Sequence, residues 1–219
     1  MNRSTPFARE GYPFIAITSS LTVILVFVAW NYCSAVIFAT GFFFFLLTLF
    51  ILYFFRNPQR VPPAEPGCVV SPADGKVIVS ERVPVSPLGG EAYKVSIFMS
   101  VLNVHVNRSP VSGVVRDVIY NEGRFFDARK GKTSFENERS CLLIETDCGV
   151  MLASVQIAGL LARRIVSYPK AGDRLSIGEI YGMICFGSRL DVYLPADIKP
   201  LVKCGDMAVA GETVLFRLS

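Results

Sequence analysis

The chain has one histidine and one tryptophan in 219 residues, and its six cysteines, at 33, 68, 141, 148, 185 and 204, include no CxxC pair. A single imidazole cannot supply a His-rich metal site, and scattered thiols give neither a zinc pattern nor a disulfide framework. No metal and no disulfide are therefore expected. Charge is missing in one place: no Asp, Glu, Lys or Arg lies between Glu10 and Arg56. With a net charge of only +4 and no basic-aromatic motif, nothing resembles a nucleic-acid module.

What fills the uncharged interval is apolar, and it raises the mean hydropathy to +0.45. It is about twice the ~20 residues that one membrane crossing needs, and it turns polar in the middle at Asn31, Tyr32, Cys33 and Ser34. The pattern predicts a transmembrane helical hairpin over residues 1–55, with spans at about 14–30 and 35–55. A cleaved signal peptide would have a shorter apolar core and no second span. Arg3 and Arg9 precede the first span, and Arg56 and Arg60 follow the second. The positive-inside bias then puts both ends, and everything after Arg56, on the cytoplasmic side of the cell (inner) membrane.

Residues 56–67 hold Pro58, Pro62, Pro63 and Pro66 and read as a stiff extended stalk. From Cys68 to the end, short Val- and Ile-rich runs are broken by Gly, Pro, Asp and Asn every eight to twelve residues. That texture predicts a mainly β domain over 68–219, a sandwich or barrel. Strands are expected at Gly75–Val83, Ala92–Phe98, Gly113–Tyr120, Ser140–Thr146 and Val150–Ile157. Two more, Met183–Phe186 and Leu190–Leu194, are expected on either side of Gly187-Ser188. Residues 157–165 fit a helical turn or another strand.

Two internal echoes suggest a duplicated β unit. Ser71-Pro-Ala-Asp-Gly75 recurs as Ser109-Pro-Val-Ser-Gly113, and Gly172-Asp-Arg-Leu-Ser-Ile-Gly178-Glu179 recurs as Gly205-Asp-Met-Ala-Val-Ala-Gly211-Glu212.

Three residues on turns or strand ends form a candidate constellation: Asp74 in the first Ser-Pro turn, His105 in VLNVHVNRSP, and Ser188 after Gly187. An acid can orient imidazole, imidazole can take a proton from serine, and serine can attack a carbonyl. Taken singly, Asp74 is also an ordinary turn-former, a lone histidine is also a structural residue, and Gly-Ser is also a common turn. The serine lacks the GxSxG strand-to-helix elbow of the α/β hydrolases. The carbonyl nearest to it is that of Gly187, in its own backbone.

SPADGKV, NVHVNRSPVSG, GRFFDARKGKTSFENERS and the late Gly-Ser of CFGSRLD, taken in order, resemble the short, membrane-anchored phosphatidylserine decarboxylase proenzymes. The resemblance runs from about Arg56 to Phe216. It implies self-cleavage between Gly187 and Ser188, with Asp74 and His105 completing the processing triad. It implies a larger (β) chain ending at Gly187 and a smaller (α) chain of residues 188–219. It also implies a pyruvoyl cofactor made from Ser188, in place of pyridoxal phosphate or a metal, that acts as electron sink while phosphatidylserine loses carbon dioxide to give phosphatidylethanolamine. The partners implied are a membrane phospholipid and the protein's own two pieces; self-association into a homo-oligomer is left open. Longer members carry a second histidine where this chain has Leu102, and read LGST where this chain reads FGSR. Arg108, Arg124, Arg139 and Arg189 are candidates for the substrate's anionic groups, each with a solvated surface charge as the alternative. An apolar rim is expected around the pocket mouth. Two other functions fit parts of the pattern: a membrane-tethered binding or carrier module of the duplicated β type, and a serine hydrolase using the same triad on external substrates.

Overall fold

The computed structural model describes residues 5–129, 136–160, 165–185 and 187–218, so Phe186, residues 130–135 of the GRFFDARKGKTSFENERS segment and residues 161–164 of the ambiguous stretch fall outside it. The chain divides into two units, Met1–Gln59 and Arg60–Ser219.

The first unit is a helical hairpin, α1 (Tyr12–Tyr32) and α2 (Ala35–Phe54). The polar stretch between them makes the turn: Cys33 adopts a left-handed conformation, φ 47°, and Ser34 caps α2 by accepting from Ile37 N–H at 3.5 Å. Both helices are long and apolar enough to cross a membrane, and side chains such as Phe27, Trp30, Phe38 and Phe43 stand exposed on them. Gly41 lets them pack closely, since a Cβ there would lie 3.3 Å from Leu25 Cβ. These features are compatible with membrane association.

Among the described residues, the second unit contains thirteen strands. An eight-stranded antiparallel sheet is ordered β12-β2-β3-β11-β7-β6-β5-β9. In that order its strands are Met207–Ala208, Gly75–Val83, Ala92–Met99, Ser188–Pro195, Met151–Ile157, Arg139–Thr146, Gly113–Asn121 and Arg174–Leu175. A three-stranded sheet joins β4 (Val106–Arg108), β10 (Ile180–Ile184) and β8 (Ile165–Ser167), and β1 (Cys68–Val70) pairs with β13 (Val214–Arg217). Alternation along the strands sends Val95, Ile97, Leu142, Ile144, Leu152, Leu190 and Val192 into one fully buried apolar core.

The duplication is visible bond for bond. Gly75 of β2 pairs with Ala208 of β12, as Gly113 of β5 pairs with Leu175 of β9. Gly211 N–H donates to Ser71 C=O at 2.7 Å, and Gly178 N–H to Ser109 C=O at 2.8 Å. Lys203 N–H bonds the Asp206 carboxylate, and Lys170 N–H that of Asp173, both at 2.8 Å. The two Ser-Pro turns are also cross-linked: Arg108 N–H donates to Pro72 C=O, and Val70 N–H to Pro110 C=O, each at 2.9 Å. The repeated sequences thus make one structural unit twice, and the units lock together through their own backbones.

The Pro-rich segment beyond Gln59 lies along the β unit. Arg60 pairs with Asp74, Arg217 with Glu65, and Leu218 N–H donates to Gly67 C=O at 2.8 Å. Proline keeps this segment extended, and its charged residues Arg60 and Glu65 find partners on the β unit, at the turn before β2 and on β13.

Candidate active site

The expected strands flanking Gly187-Ser188 do not form a hairpin. β10 lies in the three-stranded sheet and β11 in the eight-stranded one, so the chain changes sheets between Ile184 and Ser188. Gly187 takes φ +60° in this crossing, a left-handed backbone that costs a non-glycine residue ~1–2 kcal/mol. Ser188 is the first residue of β11 and faces Met99, the last of β3. It is fully buried, and among the described residues its Oγ has no hydrogen-bond partner. Buried hydroxyls are nearly always bonded, so an exception points to chemistry or to something not yet bound.

His105 sits immediately before β4 and is also wholly buried. Its carbonyl accepts from Ile184 N–H at 3.3 Å, which sets it across from the end of β10, four residues before Ser188. Asn107, two residues on, accepts from Gln156 Nε2 at 2.8 Å and donates to Met99 Sδ at 3.7 Å. Met99 is the residue paired with Ser188. Asn107, two residues beyond His105, thus reaches the inner side of β3 and β7. Sequence reasoning missed Asn107 and Gln156, although Asn107 stands in the segment already singled out, at that spacing.

Asp74 is placed by the duplication. Its Oδ1 accepts from Ala210 N–H at 2.7 Å; in the second turn Ser112 Oγ accepts from Ile177 N–H at 3.0 Å. The turn-forming role is therefore real. Asp74 adds a second oxygen, which pairs with Arg60 at 2.9 Å beside Glu212 and Arg108. Burial, and then the Arg60 charge, hold the Arg108 guanidinium below its ordinary pKa, and its Nη1 donates to Gly178 C=O at 2.9 Å. The Arg108–Pro72 bond ties the turn of Asp74 to the strand that follows His105.

Arg189 is not the solvated surface charge that was the alternative reading for it. It is fully buried, bonds Asp191 through Nε at 2.7 Å and Nη2 at 2.8 Å, and donates from Nη1 to Ala128 C=O at 3.1 Å. Lys94 Nζ reaches the same carboxylate at 3.1 Å. Burial alone would raise the Asp191 pKa; Arg189 and Lys94 reverse this and leave it below the usual carboxylate value. By the two-residue period, Arg189 and Asp191 occupy the face of β11 opposite to Ser188. The Arg124 guanidinium lies over the Phe126 ring at 5.8 Å, and Arg139 pairs with Asn121 at the end of β5.

Asn137 fastens a loop over this end of the sheet. It exchanges bonds with Phe126, accepting at 3.0 Å and donating at 2.9 Å, and donates to Ala158 C=O at 2.7 Å. At the strand ends flanking Ser188, Leu102 after β3 and Leu160 after β7 are each 64% exposed, with Phe126 at 39%. These three exposed apolar side chains are candidates for the expected rim.

Compared with known proteins, residues 47–216 match the phosphatidylserine decarboxylase family. A phosphatidylserine decarboxylase proenzyme of Pelobacter propionicus is 58% identical over 99% of both chains. Proenzymes of the same name from Geotalea uraniireducens and Geobacter sulfurreducens are each 53% identical over 98% of this chain and 97% of their own. With its match to the family spanning both Ser-Pro turns, His105 and the Gly187-Ser188 crossing, this chain belongs to the phosphatidylserine decarboxylase family.

Proposed function

We propose that this chain is a phosphatidylserine decarboxylase proenzyme that cuts itself between Gly187 and Ser188. The observation that carries the reading is the buried Ser188 hydroxyl, without a partner among the described residues, beside a glycine held at φ +60°. His105 takes the hydroxyl proton, and Ser188 Oγ attacks the Gly187 carbonyl carbon. The C–N bond breaks in favour of an ester, and the proton goes to the freed nitrogen. Loss of the α proton of residue 188 then expels the Gly187 carboxylate. Water replaces the nitrogen, which leaves as ammonia, and a pyruvoyl group remains at the head of residues 188–219.

We assign Asp74 as the acidic member of the triad; its turn is bonded to the strand that follows His105. Holding two reacting groups in one chain removes up to roughly 7–11 kcal/mol of barrier. The site suits the group it would hold: residue 188 heads a strand anchored on both sides by β3 and β7. Once formed, the pyruvoyl group supplies an electron sink for loss of carbon dioxide from an α-amino acid headgroup. His105 is the group we assign to return a proton to the substrate's α carbon.

The substrate is phosphatidylserine presented by the membrane that the helical hairpin enters, with the β unit on the cytoplasmic side. Leu102, Phe126 and Leu160 meet the acyl region while the headgroup reaches residue 188. The test is release of carbon dioxide from carboxyl-labelled phosphatidylserine by the full chain in detergent or vesicles. Activity that disappears in Ser188→Ala and after carbonyl-directed reagents supports the assignment; activity that survives both contradicts it. Leu102→Ser with Leu160→Ser should raise KM severalfold for long-chain substrate in vesicles, with little change for a short-chain soluble analogue.

A further inference from the structure

Gly159 lies just past β7, two residues after Ile157. A Cβ built on it would sit 1.8 Å from the carbonyl oxygen of Gly187 and 3.0 Å from its carbonyl carbon. No real side chain occupies such a position. The α carbon is one bond of about 1.5 Å behind that point, so Gly159 Cα and the Gly187 oxygen are within ~3.3 Å, the range of a Cα–H···O contact. The obstruction is specific to this carbonyl. The next atom along is Ala128 Cβ at 3.5 Å, an ordinary contact.

The two glycines are glycines for different reasons. Gly187 has open space where a Cβ would go but a left-handed backbone; Gly159 has no such backbone requirement and no space. Gly159 is also held from behind. Ala158 N–H donates to Glu138 C=O at 2.9 Å and Ala158 C=O accepts from Asn137 at 2.7 Å, while Arg189, the residue after Ser188, holds Ala128 C=O at 3.1 Å. The wall against which the Gly187 carbonyl rests is thus fixed to both neighbouring strands.

We infer that Gly159 is a positioning residue for self-cleavage: its bare α carbon forms the seat that fixes the Gly187 carbonyl for attack by Ser188 Oγ. The inference rests on the cleavage reading proposed above. It assigns Gly159 to the first step, in which the hydroxyl proton leaves, the O–C bond forms and the C–N bond breaks. It assigns Gly159 no part in decarboxylation, since the Gly187 carbonyl has by then left as the carboxylate end of the larger piece.

The experiment follows cleavage of full-length Gly159→Ala by denaturing electrophoresis, with melting temperature and hydroxylamine sensitivity measured on the same samples. Hydroxylamine cleaves esters but leaves ordinary amides intact. The expected result is a folded chain cut at least about 100-fold more slowly than wild type and insensitive to hydroxylamine, because the ester is not reached. Cutting at the wild-type rate would overturn the assignment, and so would an uncut chain that hydroxylamine splits, since the seat would then not govern the attack. Ala128→Gly serves as a matched control on the same wall. If the two variants, compared equally far below their melting temperatures, cleave alike, Gly159 is merely structural. A Gly159→Ala chain that does not fold at any temperature also counts against the inference, as the contact would then belong to the fold. Ser188→Ala separates the two levels: a Ser188→Ala chain that still divides sinks the cleavage reading itself, whereas normal cutting of Gly159→Ala beside an inert Ser188→Ala sinks only the inference.

Discussion

The two Ser-Pro turns are the same structure made twice, and they differ where chemistry is proposed. Ser71 corresponds to Ser109, an offset of 38 residues. At that offset Asp74 matches Ser112, and His105 matches Gly67. Asp74 and Ser112 both cap the backbone of the facing loop, at Ala210 and Ile177. What the fold needs there is one oxygen, and serine supplies it. The second carboxylate oxygen of Asp74 and the imidazole of His105 are surplus to the shared design. Each copy carries one group the other lacks, and the crossed Arg108–Pro72 and Val70–Pro110 bonds bring the two turns together.

Exchanging residues between the copies is the sharpest way to break this comparison. His105→Gly gives the second copy the residue of the first and should abolish cleavage, leaving one band on a denaturing gel over days. If it divides at the normal rate, the base lies elsewhere.

On the opposite face of β11, Arg189 and Asp191 should govern stability. Arg189→Met leaves Asp191 buried with a weakened partner set and should cost about 3–5 kcal/mol, read as a fall in denaturant midpoint. The pH dependence has a defined sign. The folded pKa of Asp191 is depressed, so its contribution is present above the unfolded value of about 3.9 and is lost as pH falls through the lower folded value. Acid unfolding of the β unit should therefore start below about pH 4, and Asp191→Asn should be less stable at neutral pH and less sensitive to acid.

Asp74→Ser keeps the Ala210 bond and removes the charge. Its expected signature is cleavage slowed ~100-fold with the melting temperature within a few degrees of wild type, whereas loss of both together would reduce Asp74 to a turn-former. The smallest effect belongs to Cys141. Burial raises its thiol pKa to about 12, so it should resist alkylation in the native protein at pH 8 while exposed Cys148 and Cys204 react.

Much of this was legible in the sequence because it is local. The uncharged interval and its polar break carry the hairpin, and alternation carries the long strands: Gly75–Val83 was expected and is found. The short strands β1, β4 and β8, of three residues each, are too brief for alternation to register. Sheet membership was not legible either. The runs before and after Ser188 look like a hairpin, and only the register shows that they belong to different sheets. The burial of Arg189 has a signal in the sequence, Asp191 two residues on, which puts opposite charges on one strand face. Gly159 left no trace in the sequence, because its neighbour in space, Gly187, is 28 residues away.

The most direct test of the central claim is the intact mass of the purified protein under denaturing conditions. Self-cleavage predicts two species, residues 1–187 and a 188–219 fragment whose N-terminus is blocked to sequencing and whose mass is that of a ketone in place of the serine amine. A single species at the full-length mass, from a folded preparation left to mature at its working temperature, would contradict it.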